Sequence, residues 1–342
     1  MSRTRVVSPL VCLGLSLAAA IAVADQSLPA PAIAIVGSTT VAPFSGVVAR
    51  HFGAAGAFAT PRVSTSSTGD GIRRFCGGEG GVAPDIVNAS RPMTAAERTL
   101  CAQHGIRKPV ELRVGYDSLV IAVPAATAVF GLTREQLWRA IAAFVPSAKG
   151  FVANPNRRWR DVAPGLPDAP IEVYGPAPNH GTRDALVELL LEPLCRAAPQ
   201  AASLAPADIA RDCGTLRMDG AWKDVEEPEL ILGKIAAHPA AVGVLTYSYL
   251  EQFPTRIHPA PIDGILPTRA TILSGQYPVG RPLYMYVNPA HVHTTPGLAD
   301  FLGEFYSLCA GGASGYLSHE GLVPLPAAEL FAERGHVAQL GR

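Results

Sequence analysis

The 342-residue chain is poor in charge: only 16% of its residues are Asp, Glu, Lys or Arg, against roughly 25% in an average soluble protein. Its 28 basic and 28 acidic residues cancel, and no run of like charges occurs. A general nucleic-acid binder needs a basic excess to neutralise phosphates, so that class is excluded. There is no Walker loop, no Gly-x-Ser-x-Gly elbow and no His-Glu-x-x-His helix, the signatures of P-loop, serine-hydrolase and zinc-protease chemistry. No Cys-x-x-Cys pair is present, which makes zinc a poor explanation for the cysteines. After Val23 no apolar run reaches the roughly 18 residues that cross a bilayer. Internal repeats and low-complexity linkers are missing as well.

Hydrophobic residues make up 48%, enough for a sizeable core, and the length allows about two domains. The 33 glycines and 31 prolines are spread out, as in a loop-rich globular protein. Arg3 and Arg5 precede an apolar stretch from Val6 to Val23, and Ala22-Val23-Ala24 makes a small-x-small site. This is the layout of a secretory signal peptide covering residues 1–24 and cleaved after Ala24. Its loss removes Arg3 and Arg5 and leaves a net charge of −2. Export places Cys76, Cys101, Cys195, Cys213 and Cys309 in an oxidising compartment. The short separations suggest Cys76–Cys101 and Cys195–Cys213, although spacing alone does not fix the connectivity. Cys309, in an apolar helical run, reads as a buried thiol.

Strand-then-helix units dominate the first half. Ala32–Val36 is a continuous apolar run, as for a buried strand of a parallel sheet. Phe44, Val47, Val48 and Phe52 follow at helical spacing. Further strands are expected at 62–65, 85–89, 118–123, 171–174, 241–245 and 283–287. Helices are expected from Gly71, after the capping boxes Thr94–Glu97 and Thr133–Gln136, and over 182–191, 229–237 and 296–308. The alternation implies α/β layers with mixed, mostly parallel sheets.

Three turns between a strand and a helix are dense in Gly, Ser and Thr: Gly37–Val41, Ser64–Gly71 and Asn179–Asp184. A helix N-terminus exposes unpaired N–H groups and the positive end of the dipole. Hydroxyls add donors, and glycine lets the backbone approach an anion. Singly, such turns are usually plain N-caps; three in one α/β chain point to an oxyanion site at the carboxyl ends of the strands. Arg91 and Arg183 sit in comparable turns, and the arginine fork suits tetrahedral oxyanions. Their bland reading is an ion pair. His291-Val292-His293 is the only His-x-His, with no acidic or cysteine neighbour beside it. Trp138, Trp159 and Trp222 read as packing residues.

The runs Gly37–Phe44, Ser67–Gly71, Ala89–Pro92 and Gly181–Asp184, in this order, resemble the phosphate-binding periplasmic proteins of phosphate ABC transporters. Later pieces fit too: Asp219–Trp222, Ile262–Thr268, Ser274–Pro278 and Arg281–Leu283. The resemblance spans almost the whole mature chain. It implies a type II periplasmic-binding-protein fold, with two α/β lobes joined by crossing strands near 115–118 and 262–266. Lobe 1 would comprise residues 25–115 and 263–342, and lobe 2 residues 116–262. The implied anion ligands are Thr39, Thr40, the Val41 amide, Ser67, Thr68, Arg91, His180, Gly181, Thr182 and Arg183, without cofactor or metal. The implied partners are inorganic phosphate and the membrane permease and ATPase subunits of the transporter; the receptor itself would be a periplasmic monomer and not an enzyme.

Two departures matter. Some members carry, after the Ala-Ser pair, an aspartate that accepts the phosphate's proton; this sequence has Arg91 there. Asp70 and Asp184 are substitute carboxylates, and Asp184 also suits a helix N-terminus. His180 stands where serine is common, either as a protonated donor to the anion or as a residue of the cleft rim. The alternatives carried forward are a receptor for sulfate or molybdate and an exported phosphatase or other hydrolase, although no serine shows a His–Asp constellation.

Overall fold

A computed structural model describes residues 32–77, 83–127, 129–148, 150–178, 180–238 and 240–341. The expected signal peptide and Asn179 of the third turn lie outside the described residues. The strands are, in chain order, β1 (Ala34–Ser38), β2 (Arg62–Ser66), β3 (Ile86–Ala89), β4 (Val110–Pro124), β5 (Phe144–Ser147), β6 (Gly150–Ala153), β7 (Val173–Pro176), β8 (Trp222–Val225), β9 (Val242–Thr246), β10 (Ile257–Ala260) and β11 (Gly280–Val287). All but the β5–β6 hairpin join one mixed sheet, in the order β2-β1-β3-β11-β4-β9-β7-β8 with β10 also on β4. The outer strands are parallel, β2-β1-β3 at one end and β9-β7-β8 at the other. The centre is antiparallel: residues 110–118 of β4 pair with β11, and residues 119–124 pair with β9 and β10. The expected α/β, two-lobed periplasmic-binding-protein architecture is therefore present, with its two halves hung on one strand.

Each parallel end is a stack of strand–helix units. After β1 comes α1 (Ala42–Ala54), after β2 comes α2 (Thr68–Gly77), and after β3 comes α3 (Ala95–Gln103). The apolar face of α1 buries Phe44, Val47, Val48 and Phe52. Phe52 meets Phe301 edge-on at 5.6 Å, so the helix Leu298–Phe305 covers the same face of the sheet. On the other face, Ile72 and Phe75 of α2 pack with Val36, Val87 and Tyr286. Both capping boxes form. Thr94 Oγ1 accepts from the Glu97 amide at 3.2 Å and the Glu97 carboxylate accepts from the Thr94 amide at 2.8 Å. Thr133 and Gln136 make the same exchange at 3.0 and 2.8 Å ahead of α4 (Arg134–Ile141).

Several expectations shift. The strand read at 118–123 extends back to Val110. Its outer part carries Glu111 and Arg113, which break the apolar run in the sequence but find partners in Arg98 of α3 and Glu329 of the helix Ala327–Leu340. The helix read over 182–191 is α-helical only from Gly181 to Leu186 and continues as a π turn over Val187–Leu191. Trp222 opens β8. The helix expected to reach Leu308 ends at Phe305, and Cys309, on the short following turn, is exposed rather than buried. His291 has an acidic partner after all: Asp85, distant in sequence, lies 2.8 Å from its Nδ1. Among the described residues no cluster of His, Cys, Asp and Glu is arranged to hold a metal, and no helix is long and apolar enough to cross a membrane.

Both cysteine pairs are bonded. Cys76–Cys101 ties α2 to α3 across a separation of 25 residues, and Cys195–Cys213 closes 18. Loops of this size are worth about 3 kcal/mol each in the chain-entropy account. In a chain beginning at Asp25, titration of the folded protein with a thiol reagent should therefore count one thiol, that of Cys309, rising to five after reduction and unfolding. Three or more thiols in the folded protein would contradict the pairing.

Candidate functional site

The site begins where β1 ends. Gly37 has φ 112°, and a Cβ there would lie 2.3 Å from the Asn88 carbonyl oxygen, so only glycine lets β1 turn against β3. The chain then passes over Thr39 and Thr40 into α1, with the Val41 amide donating to Ser38 O at 3.1 Å. A second loop arrives from the other half of the sheet. It leaves β7 at Pro176 and enters the helix Gly181–Leu186, whose first back-bonded amide is that of Arg183, donating to His180 O at 2.9 Å. The amides of Gly181 and Thr182 precede it and so have no acceptor within the helix.

The two loops touch. Thr40 Oγ1 donates to Gly181 O at 3.1 Å, and Thr39 Oγ1 donates to the Asp184 carboxylate. A Cβ on Gly181 would stand 2.6 Å from Thr39 O and 2.7 Å from Thr40 Cα. Glycine at this position is thus a condition for the two loops to meet.

Beside the contact lies a cavity of about 310 Å³. Thr39, Thr40, Asp117, His180, Gly181, Thr182, Thr246 and Ser248 are among the residues that line it. Its described lining holds carboxylates (Asp117, Glu229, Glu320) and histidines, but no Lys or Arg. Asp117 is 5% exposed. Burial pushes its carboxyl above the ordinary range, against the opposing pull of Arg281. Arg281 stands opposite it in the β11–β4 ladder. Its Nη2 donates to Thr40 Oγ1 at 3.2 Å, and its Nη1 pairs with the Glu188 carboxylate. Glu188 also accepts from Ser90 Oγ at 3.0 Å, and Ser90 Oγ lies 2.9 Å from Thr68 Oγ1. A polar chain therefore runs from α2 through Ser90 and Glu188 to Arg281 and Thr40.

The sequence-predicted residues divide accordingly. Thr39, Thr40, His180, Gly181 and Thr182 come together at the cavity. The Val41 amide is committed to its own turn. Ser67 Oγ accepts from the Asp70 amide at 3.1 Å as a local cap, and Thr68 serves Ser90. Arg91 is held away from the cavity by two bonds to Glu97, at 2.8 and 2.9 Å. Arg183 donates to Pro176 O at 2.9 Å and Asp224 at 2.6 Å and lies over the Trp222 ring. Asp117, Glu188 and Arg281 were missed as site residues. Asp117 and Arg281 each begin a long apolar run, and a charge at that place in a buried strand was the available signal.

This arrangement of two strand-end loops across a shared strand can be set against known proteins. Residues 22–308 match the family model of a PBP superfamily domain. The chain belongs to the PBP superfamily. It is 29% identical over 332 residues to Protein SphX of Synechocystis sp., covering 95% of this chain and 86% of that protein. It is 26% identical over 272 residues to the phosphate-binding protein PstS of Staphylococcus saprophyticus, covering 78% and 73%. Among solved structures, a possible phosphate binding protein from Planctomyces limnophilus superposes with a TM-score of 0.74 at 24% identity, covering 92% of this chain and all of that one.

The placement of Arg91 leads to a stability prediction. Burial alone would raise the Glu97 carboxyl, but hydrogen bonds from Arg91 and Thr94 outweigh it and hold the group at about 2. A depressed carboxyl contributes stability above its unfolded-state range, and that contribution fades as pH falls toward the folded value. Arg91→Ala should thus lower urea-unfolding stability by about 1 kcal/mol near neutrality, with the difference shrinking between the ordinary carboxylate range and about pH 2. Phosphate affinity should change less than about threefold, well under 1 kcal/mol; a loss of tenfold or more would return Arg91 to the site.

Proposed function

We propose that this chain is an exported receptor that captures inorganic phosphate in the cleft between its two halves and delivers it to the permease and ATPase subunits of an ABC transporter. It does no bond chemistry and uses no cofactor. Residues 1–24 serve export to the periplasm, where the receptor acts as a monomer. The lobes are residues 25–115 with 263–342, and 116–262, a division consistent with the change of partners along β4. The names of the similar proteins, phosphate-binding PstS among them, support the ligand.

One observation carries the reading: the β1–α1 and β7–helix loops, from opposite halves, meet through Thr40 and Gly181 at a cavity. Each brings the short, hydroxyl-bearing, glycine-dependent backbone that an oxyanion needs. Thr39, Thr40, His180 and the amides of Gly181 and Thr182 are the ligand set. Arg281, fixed on the Thr40 hydroxyl, supplies the positive charge that Arg91 and Arg183 spend elsewhere. Micromolar affinity needs about 8 kcal/mol, and charge-assisted hydrogen bonds contribute about 1.5–3 kcal/mol each. Four or five such donors suffice after association costs.

Calorimetry of the mature chain with phosphate, sulfate and molybdate, with a phosphomonoester assay alongside, tests this function. Phosphate should bind at micromolar concentration or tighter, without ester turnover, and Gly181→Val should weaken it at least tenfold by forcing the loops apart. Turnover would select a hydrolase; tight sulfate or molybdate binding with no phosphate binding would select a different oxyanion receptor.

A further inference from the structure

Glu188 carries the one charge in the otherwise apolar turn Val187–Leu191. Leu190 and Leu191 are fully buried and anchor that turn in the core. The turn is π-helical, and such turns inside a helix are rare and often sit at functional sites. From it the Glu188 carboxylate crosses to the other half of the sheet. There one of its oxygens takes two donors, Ser90 Oγ after β3 at 3.0 Å and Arg281 Nη1 on β11. Arg281 is 8% exposed, and among the described residues Glu188 is its salt-bridge partner. A buried guanidinium needs an anionic partner. Its other terminal nitrogen, Nη2, donates to Thr40 Oγ1 at 3.2 Å, on the loop expected to grip the anion. The charge of Arg281 is thus claimed from two sides, by an internal carboxylate and by the oxyanion site.

An oxyanion held by Thr40 and by the amides of Gly181 and Thr182 needs the same guanidinium, because no Lys or Arg is among the described residues lining that cavity. Two anions drawn to one buried arginine repel each other at close range. We propose that Glu188 is a built-in competitor that sets the affinity of the cleft: its carboxylate holds Ser90 and Arg281, and an incoming oxyanion has to displace it. This rests on the oxyanion reading above and adds the group that opposes binding. The displaced side chain has room to move into. Glu188 lines a second cavity, of about 410 Å³, together with Ser90, Arg91, Glu192 and Arg281. The displacement breaks one ion pair and one hydrogen bond between the halves. Capture of the anion and loosening of this contact are therefore coupled, and the affinity observed is reduced by what breaking the contact costs.

Glu188→Gln keeps the length of the side chain and an oxygen for Ser90 but removes the charge that holds Arg281. Calorimetry with phosphate on the wild type and this variant, each checked for a native circular-dichroism melt, provides the test. Glu188→Gln should bind phosphate at least about fivefold more tightly, because a like charge beside the anion is gone. A residue that merely positions Arg281 predicts the opposite sign. Affinity unchanged or weakened in a folded variant overturns the competitor and leaves the phosphate reading standing. If Glu188→Gln does not fold, the wild type decides alone. Its crystal structure grown with phosphate should show the Glu188 carboxylate more than about 4 Å from the Arg281 guanidinium, beyond the reach of an ion pair. Phosphate bound beside an intact Glu188–Arg281 pair overturns the proposal. A wild type that binds no phosphate removes the underlying function and the proposal with it.

Discussion

One strand has to serve both halves of the sheet. β4 is 15 residues long and buried from Val114 onward, and its hydrogen-bonding partners change between Ser118 and Leu119. Backbone groups buried in a core must be paired. The change of partners is therefore possible only if β11 ends where β9 and β10 begin. That requirement fixes the two halves relative to each other and brings the carboxyl ends of β1 and β7 face to face. Asp117 and Arg281 sit at the last rungs before the switch, so the polar pair at the cleft floor lies at the junction of the halves.

The chemistry that follows is local. The chain carries no net charge, and the described cavity lining is acidic rather than basic. Any attraction for an anion comes from helix N-termini, hydroxyls and one buried arginine held in a network. The loops bond one another: Thr40 bonds Gly181, Thr39 bonds Asp184, and Arg281 reaches Glu188 of the opposite half. These contacts hold the halves together through groups that a tetrahedral oxyanion would compete for. Binding then exchanges one set of cleft hydrogen bonds for another, a combination that suits capture and release better than permanent retention.

Much of this was legible in the sequence. The apolar runs gave most of the strands, the Thr94 and Thr133 capping boxes formed as read, and the short cysteine separations matched the bonded pairs. Gly37 could be read because its role is local, in the turn that it makes; the turns carrying Thr40 and Gly181 could be read too, but not their meeting across 141 residues. An arginine in a strand–helix turn reports charge but not direction, and in the structure Arg91 pairs with Glu97 and Arg183 with Asp224. Glu97 and Asp224, which turn them away, matter only in three dimensions. The first half of β4 was hidden because Glu111 and Arg113 interrupt its apolar pattern, and their partners lie 13 and 216 residues away. Asp117 and Arg281 stood out only as charges at the start of apolar runs; their pairing is a register between strands far apart in sequence.

The central claim is that the β1–α1 and β7–helix loops close on a single oxyanion. A crystal structure of the mature chain grown with phosphate tests it most directly. The account predicts tetrahedral density within hydrogen-bond reach of Thr40 Oγ1 and the Gly181 and Thr182 amides, with Arg281 still anchored on β11. Phosphate bound by Arg91 and Ser67 away from Gly181, or a cleft left empty at saturating phosphate, would contradict it.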